Sequence, residues 1–197
     1  LRTSDGFVEN FGAALLARIA GQAPGVRLHF LQKPDKDSAP LRDGRVDLET
    51  GIVEEALGPE VRTQPLFRDR LVGVVRNGHP LAGGKVTAAA YGQARHVVVS
   101  RSGAEAGAVD RPFLPADLAR NIGTIVGGFS GALALARASD LVATVPERHT
   151  ETLRQGMFSF ALPVPTLPFT VSMLWHPRLD ADPVHRWLRA CVREVCA

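Results

Sequence analysis

The chain has 197 residues, 45% of them hydrophobic and 22% charged, which suffices for one large domain or two small ones and is too apolar for a disordered polymer. Its 23 basic and 20 acidic residues leave a net charge of +3, with a pI near 9.3. Divided at residues 75 and 175 the excess is −1, +3 and +1, with no basic tail or basic helix face, so the charge favours solubility and does not form a nucleic-acid surface.

No apolar run approaches the roughly 18 residues of a membrane span, and no basic–apolar–small-residue leader is present. The chain opens Leu1-Arg2-Thr3-Ser4-Asp5 without a methionine and reads as a fragment of a longer, cytoplasmic protein. Its two cysteines, Cys191 and Cys196, stand about 140° apart on one helix and read as reduced thiols, without a local disulfide or zinc site.

Short β-rich runs alternate with helical stretches. Leu1–Ser4 leads into a helix over Val8–Ile19, where Phe7, Phe11, Ala14, Leu15 and Ile19 recur at helical spacing. Ala23-Pro24-Gly25 breaks it, and Val26–Leu31 alternates as a strand. A short helix over 39–44 precedes strands at Val46–Ile52, Val61–Leu66 and Leu71–Arg76. The second half repeats the scheme with a strand at Val97–Ser100, a Gly-rich loop over Ser102–Gly107, a strand at Asn121–Val126, a helix at Phe129–Ala138 and a strand at Leu141–Val145. Pro146–Gln155 reads as a helix with proline in its first turn, followed by strands at Met157–Leu162 and Phe169–Trp175. Asp182 caps a last helix in which Val184, Trp187, Leu188, Cys191, Val192 and Val195 form one stripe, while Arg186, Arg189 and Arg193 take the solvated face. This order predicts an α/β protein of two similar lobes around a cleft, with ligand groups at the strand-to-helix turns.

Four turns carry the donors such a ligand needs. Ser4-Asp5-Gly6-Phe7 offers a hydroxyl and helix N-terminal amides, although Ser4 or Asp5 can equally serve only as a cap. Thr50-Gly51-Ile52 ends a strand, Ser100-Arg101-Ser102-Gly103 supplies two hydroxyls and a cation, and Gly127-Gly128-Phe129-Ser130 opens a helix beside an aromatic ring. The six histidines show no metal-ligand spacing and join no nucleophile elbow, and the glycines make no dinucleotide or phosphate-binding loop, so no catalytic residue, metal or cofactor is assigned.

Several segments then stand in a telling order. After Ser4-Asp5 and Ala23-Pro24-Gly25-Val26 come Leu41-Arg42-Asp43-Gly44-Arg45-Val46-Asp47-Leu48, Pro65-Leu66-Phe67-Arg68-Asp69-Arg70-Leu71-Val72 and Arg76-Asn77-Gly78-His79-Pro80-Leu81-Ala82. Asp140-Leu141-Val142-Ala143-Thr144-Val145-Pro146, Leu174-Trp175-His176-Pro177 and Asp182-Pro183-Val184-His185-Arg186-Trp187-Leu188-Arg189 complete the set. It resembles the effector-binding domain of LysR-type transcriptional regulators over essentially the whole chain. The tail is similar to the branch that includes regulators of nodulation and of aromatic-compound degradation. The resemblance implies a two-lobed fold like type 2 periplasmic binding proteins, with mostly parallel sheets and two crossover strands. Lobe I would be residues 1–74 plus 175–197 and lobe II residues 75–174. It also implies a small-molecule effector in the cleft, a homodimer through this domain, a homotetramer of the full protein, and DNA contact only through an N-terminal winged helix-turn-helix outside these residues, with no membrane partner. Where the family commonly has a small or apolar residue stands Glu49. Its carboxylate in a central strand is costly unless partly exposed or paired with an arginine; the sharper alternative puts it in the cleft, shifting preference away from simple anions.

The reading that follows is a sensor domain and not an enzyme. It binds a small aromatic or carboxylated metabolite through Ser4, Asp5, Gly6, Phe7, Thr50, Gly51, Ile52, Ser100, Arg101, Ser102, Gly128, Phe129 and Ser130. An extracytoplasmic solute-binding protein of the same fold is the alternative, and an α/β enzyme would need a nucleophile–base pair or metal cluster that the sequence does not show.

Overall fold

In the computed structural model, which describes residues 1–35, 37–53, 60–103 and 108–197, the first helix begins where its cap dictates. Ser4 follows strand β1 (Arg2–Thr3) in extended backbone, and its hydroxyl accepts the Phe7 amide at 3.3 Å to open α1 (Asp5–Gln22). Phe7, Phe11, Leu15 and Ile19 are its buried stripe. Ala14, predicted to share that stripe, is exposed.

From there the chain forms β2 (Leu31–Gln32), α2 (Ala39–Arg42), β3 (Glu49–Ile52), β4 (Arg62–Asp69), β5 (Leu71–Arg76), α3 (Ala88–Gln93), β6 (Arg95–Val99) and β7 (Asn121–Val126). It continues through α4 (Phe129–Ala138), β8 (Leu141–Pro146), β9 (Met157–Ala161), β10 (Phe169–Trp175) and α5 (Pro183–Val195). Two compact units result: Leu1–Arg68 with Thr170–Ala197, and Asp69–Phe169. Among the described residues each holds a five-stranded sheet, ordered β2-β1-β3-β10-β4 in the first unit and β7-β6-β8-β5-β9 in the second. β1 lies parallel to β2 and β3, and β6 parallel to β7 and β8. β5, β9 and β10 are reached without an intervening α-helix and pair antiparallel. Leu71–Val74, placed by the sequence in lobe I, pair with Pro146–Ala143 in the sheet of the second unit.

The core of the second unit has two faces. Val72, Val74, Val97, Val99, Ala143 and Val145 pack against Phe129, Ala132, Leu133 and Ala136 of α4. The opposite face buries Val75, Tyr91 and Val142 under Phe158 and Phe160. Strands buried on both faces read as continuous apolar runs, which is why β5, β6 and β8 were legible.

Three predicted elements differ. Of Val26–Leu31 only Leu31 joins a ladder, in β2, and Val26 is exposed, because β1 offers a partner of just two residues. Pro146–Gln155 is not a helix. Pro146 closes β8 opposite Leu71, the Asp69 carboxylate accepts the Arg148 and His149 amides at 2.9 Å each, and only a 3-10 turn at Thr152–Arg154 follows. The ladder runs on past Pro146, with the Glu147 amide donating to Arg70 O at 2.8 Å, so the first residues of the expected helix belong to the sheet instead. In α5 the cap is as expected, Asp182 accepting the His185 amide at 2.9 Å. Arg189, however, is buried: it lies 4.6 Å over the Trp175 ring and donates to the Leu179 and Asp180 carbonyls, whereas Val184 of the supposed apolar stripe is 59% exposed. α3, capped by the Thr87 hydroxyl, has no counterpart in the sequence reading.

Candidate functional site

In the first unit the carboxyl ends of the parallel strands β1, β2 and β3 collect the polar residues. The Thr3 and Thr50 hydroxyls bond each other across β1 and β3, so Thr50, 2% exposed, spends its side chain on the sheet. Ser4 caps α1 next to them, and Asp5 adds a carboxylate in the same first turn. Phe7 is fully buried, its ring 5.1 Å from that of Phe11. Gly51 and Ile52 are half-buried at the end of β3.

Beneath this strip lies a buried charge cluster. Glu49, 1% exposed, stands beside Arg2 in the parallel ladder, and its carboxylate accepts from Arg2 Nη1 at 2.8 Å and from Lys33 Nζ at 2.7 Å. Arg2 also reaches Asp35 at 2.5 Å and the Asp37 carbonyl at 2.6 Å. Burial works to lower the pKa of the Arg2 guanidinium, but the hydrogen bonds to Glu49 and Asp35 outweigh it and raise it. Arg2 in turn holds the Asp35 carboxyl below the usual range. Of the two readings of Glu49, the structure shows the paired one, with a lysine beside the arginine.

In the second unit Ser100 follows β6. Its amide donates to Val126 O at 2.8 Å, and the Gly103 amide closes a turn onto the Ser100 carbonyl at 3.3 Å. Gly103 takes φ +77°, a left-handed conformation suited to glycine. The Ser100 and Ser102 hydroxyls are 3.3 Å apart with Arg101 between them in the chain. The remainder of the Gly-rich loop, 104–107, lies outside the described residues. Gly128 opens α4 with no capping side chain, and Ser130 is half-buried in its first turn. Phe129 is 4% exposed and packs in the core beneath the sheet, its ring 6.1 Å from that of His149. The two phenylalanines assigned to a ligand therefore spend their surface on the cores of their own units.

An open groove of about 700 Å³ along α3, lined by Ala88, Gly92, Pro115, Leu118 and Pro165 among others, includes none of the predicted site residues. No group of three or more metal-ligating side chains occurs among the described residues. The sequence reading missed Lys33. Its amide bonds Thr3 O at 3.0 Å, which places it beside Ser4 at the end of β2. The same strand-to-turn logic that selected Ser4 would have selected it had β2 been placed at Leu31–Gln32.

The model of the LysR substrate binding domain matches residues 1–197, the whole chain. The chain belongs to this family. It is 28% identical over 193 residues to the HTH-type transcriptional activator NagR of Ralstonia sp, covering 94% of this chain and 62% of that protein. It is also 28% identical over 182 residues to Nodulation protein D 3 of Rhizobium leguminosarum bv. phaseoli, covering 89% and 59%. The chain thus spans less than two thirds of the length of either relative. Among solved structures, the regulatory domain of MexT, a transcriptional activator in Pseudomonas aeruginosa, superposes with a TM-score of 0.80 at 25% identity, covering 98% of this chain and 97% of that one. The LysR substrate-binding domain seen here shares its two-unit α/β fold with that regulatory domain.

Proposed function

We propose that this LysR substrate-binding domain is the effector-sensing part of a transcriptional regulator, a binding module and not a catalyst. The match of the entire chain to a substrate-binding domain carries the reading, and the regulators among its relatives support it. A small aromatic or carboxylated effector is the ligand, and each unit by itself carries hydroxyls and amides at its strand ends that suit one: Ser4 and Gly51 in the first, Ser100, Ser102 and the start of α4 in the second. The effector changes regulation only as far as it binds two arrangements of the protein with different affinity. DNA contact belongs to a helix-turn-helix segment of the full protein, in keeping with the HTH-type name of NagR, and homodimers form through this domain.

Thermal-shift titration of this chain with aromatic acids, flavonoid-like compounds and amino acids tests the proposal. At a concentration of 100 Kd a true effector stabilises by about 2.7 kcal/mol. The Ser100→Ala variant is expected to weaken that shift. A library in which no compound raises the melting temperature overturns the reading.

A further inference from the structure

We infer that Lys33 is the specificity-determining residue of the first unit, reading a single carboxylate on the effector, with Glu49 as its positioning residue. The inference rests on the effector-binding reading above and narrows it to organic monoanions.

The geometry leads to this in three steps. Glu49 is shared by two cations: Arg2 takes one carboxylate oxygen at 2.8 Å and Lys33 takes the other at 2.7 Å. Asp35, the second carboxylate of the cluster, pairs with Arg2 and has a side chain 57% exposed, which leaves Glu49 as the carboxylate facing Lys33. Secondly, Lys33 has three N–H donors, and Glu49 occupies one. Its side chain is only 11% exposed, and no other protein acceptor bonds it among the described residues. An ammonium so far withdrawn from water gains from an anionic acceptor much more than a surface lysine does. Thirdly, the ammonium has a fixed place. A Cβ built on Gly51 would stand 3.4 Å from Nζ and within 4.0 Å of the lysine stem, so the side chain lies along the bare face of Gly51. The Lys33 amide is tied to Thr3 O at 3.0 Å, next to Ser4 and the amino end of α1. Helix dipole and ammonium favour the same negative charge at that point, while Asp5 in the first turn weighs against a second one. Glu49 does not meet the ligand; it holds the ammonium against Gly51 and keeps Arg2 occupied.

Calorimetric and thermal-shift titrations with matched carboxylates and primary amides test the assignment: benzoate with benzamide, phenylacetate with phenylacetamide, butyrate with butyramide. The wild-type domain is expected to prefer at least one acid over its amide. Lys33→Met should weaken that acid by roughly 10- to 100-fold, the range of a hydrogen bond to a charged group, and leave the amide unchanged. Lys33→Arg, which keeps the charge, should retain most of the preference, and it provides the test if Lys33→Met fails to unfold cooperatively. Equal loss of acid and amide in Lys33→Met, or an acid affinity that survives it, overturns the inference. Binding of amides or other neutral compounds without any preference for acids also overturns it, while leaving the effector-binding reading intact. If neither acids, amides nor the wider library bind, both fall together.

Discussion

Replacing Arg120 by methionine probes the second unit where it has least tolerance. Arg120 immediately precedes β7 and pairs with Asp110 at 2.5 and 3.4 Å, the two side chains being 3% and 6% exposed. Burial works to lower the pKa of Arg120, but the Asp110 partner outweighs it and raises it. The substitution leaves the Asp110 carboxylate with neither water nor a counter-ion. Breaking a buried pair from one side costs about 3–5 kcal/mol. For a chain of this length each kcal/mol moves the melting temperature by roughly 2–4 °C, so a drop of about 6–20 °C is expected. The double variant Asp110→Leu/Arg120→Met, which removes both charges, should recover most of that loss because the desolvation penalty disappears with the carboxylate. Urea unfolding of the four proteins of this cycle, followed by circular dichroism, measures the coupling. A single-variant cost under about 1 kcal/mol, or a double variant no more stable than Arg120→Met, would refute the claim that this pair is a mutually dependent buried unit.

Three further outcomes are expected. His96 is fully buried, its Nε2–H donating to the Tyr91 carbonyl at 2.7 Å and its Nδ1 without a partner; burial first, then nearby Arg120, lower its pKa from 6.5. Because the unfolded chain takes up that proton before the folded one does, the contribution is complete above pH 6.5 and is lost as pH falls below it. The slope is at most about 1.4 kcal/mol per pH unit, and His96→Gln should flatten it in urea titrations between pH 7 and 5. A Cβ at Gly73 would overlap the Phe160 ring that faces it across β5 and β9, so Gly73→Ala is expected to cost about 1–3 kcal/mol and Phe160→Leu to relieve part of it in the double variant. Asp69 accepts the Arg70, Arg148 and His149 amides, and Asn supplies only one acceptor oxygen; Asp69→Asn should therefore destabilise by about 1–3 kcal/mol and increase amide exchange over 147–150.

How much was legible depended on whether a residue's role was local. Ser4 before Phe7 and Asp182 before His185 are capping geometries completed within three residues, and both were readable. Glu49 announced itself as a carboxylate in a central strand that required a partner, and Arg2 was among the residue types that could supply one. That Lys33 shares it was hidden, because the position of β2 is set by the two-residue β1 and not by the alternation of Val26, Leu28 and Phe30. Phe129 sits at a helix start, as expected, yet its ring turns into the core once α4 packs on the sheet.

The sequence by itself determined the α/β alternation, the continuous apolar strands and the capped helix ends, since these follow from periodicity and near-neighbour hydrogen bonding. Only the tertiary structure decided that Pro146 and Glu147 stay with the sheet in place of opening a helix, that Arg189 leaves the solvated face for Trp175, and that Arg2, Lys33 and Glu49 form one cluster. Each of those outcomes depends on a partner beyond the reach of helical spacing, such as Arg70 for Glu147 or Glu49 for Arg2. The energy of pairing a buried polar group exceeds the local preferences of a few residues, so the distant partner, once folding brings it near, overrides them.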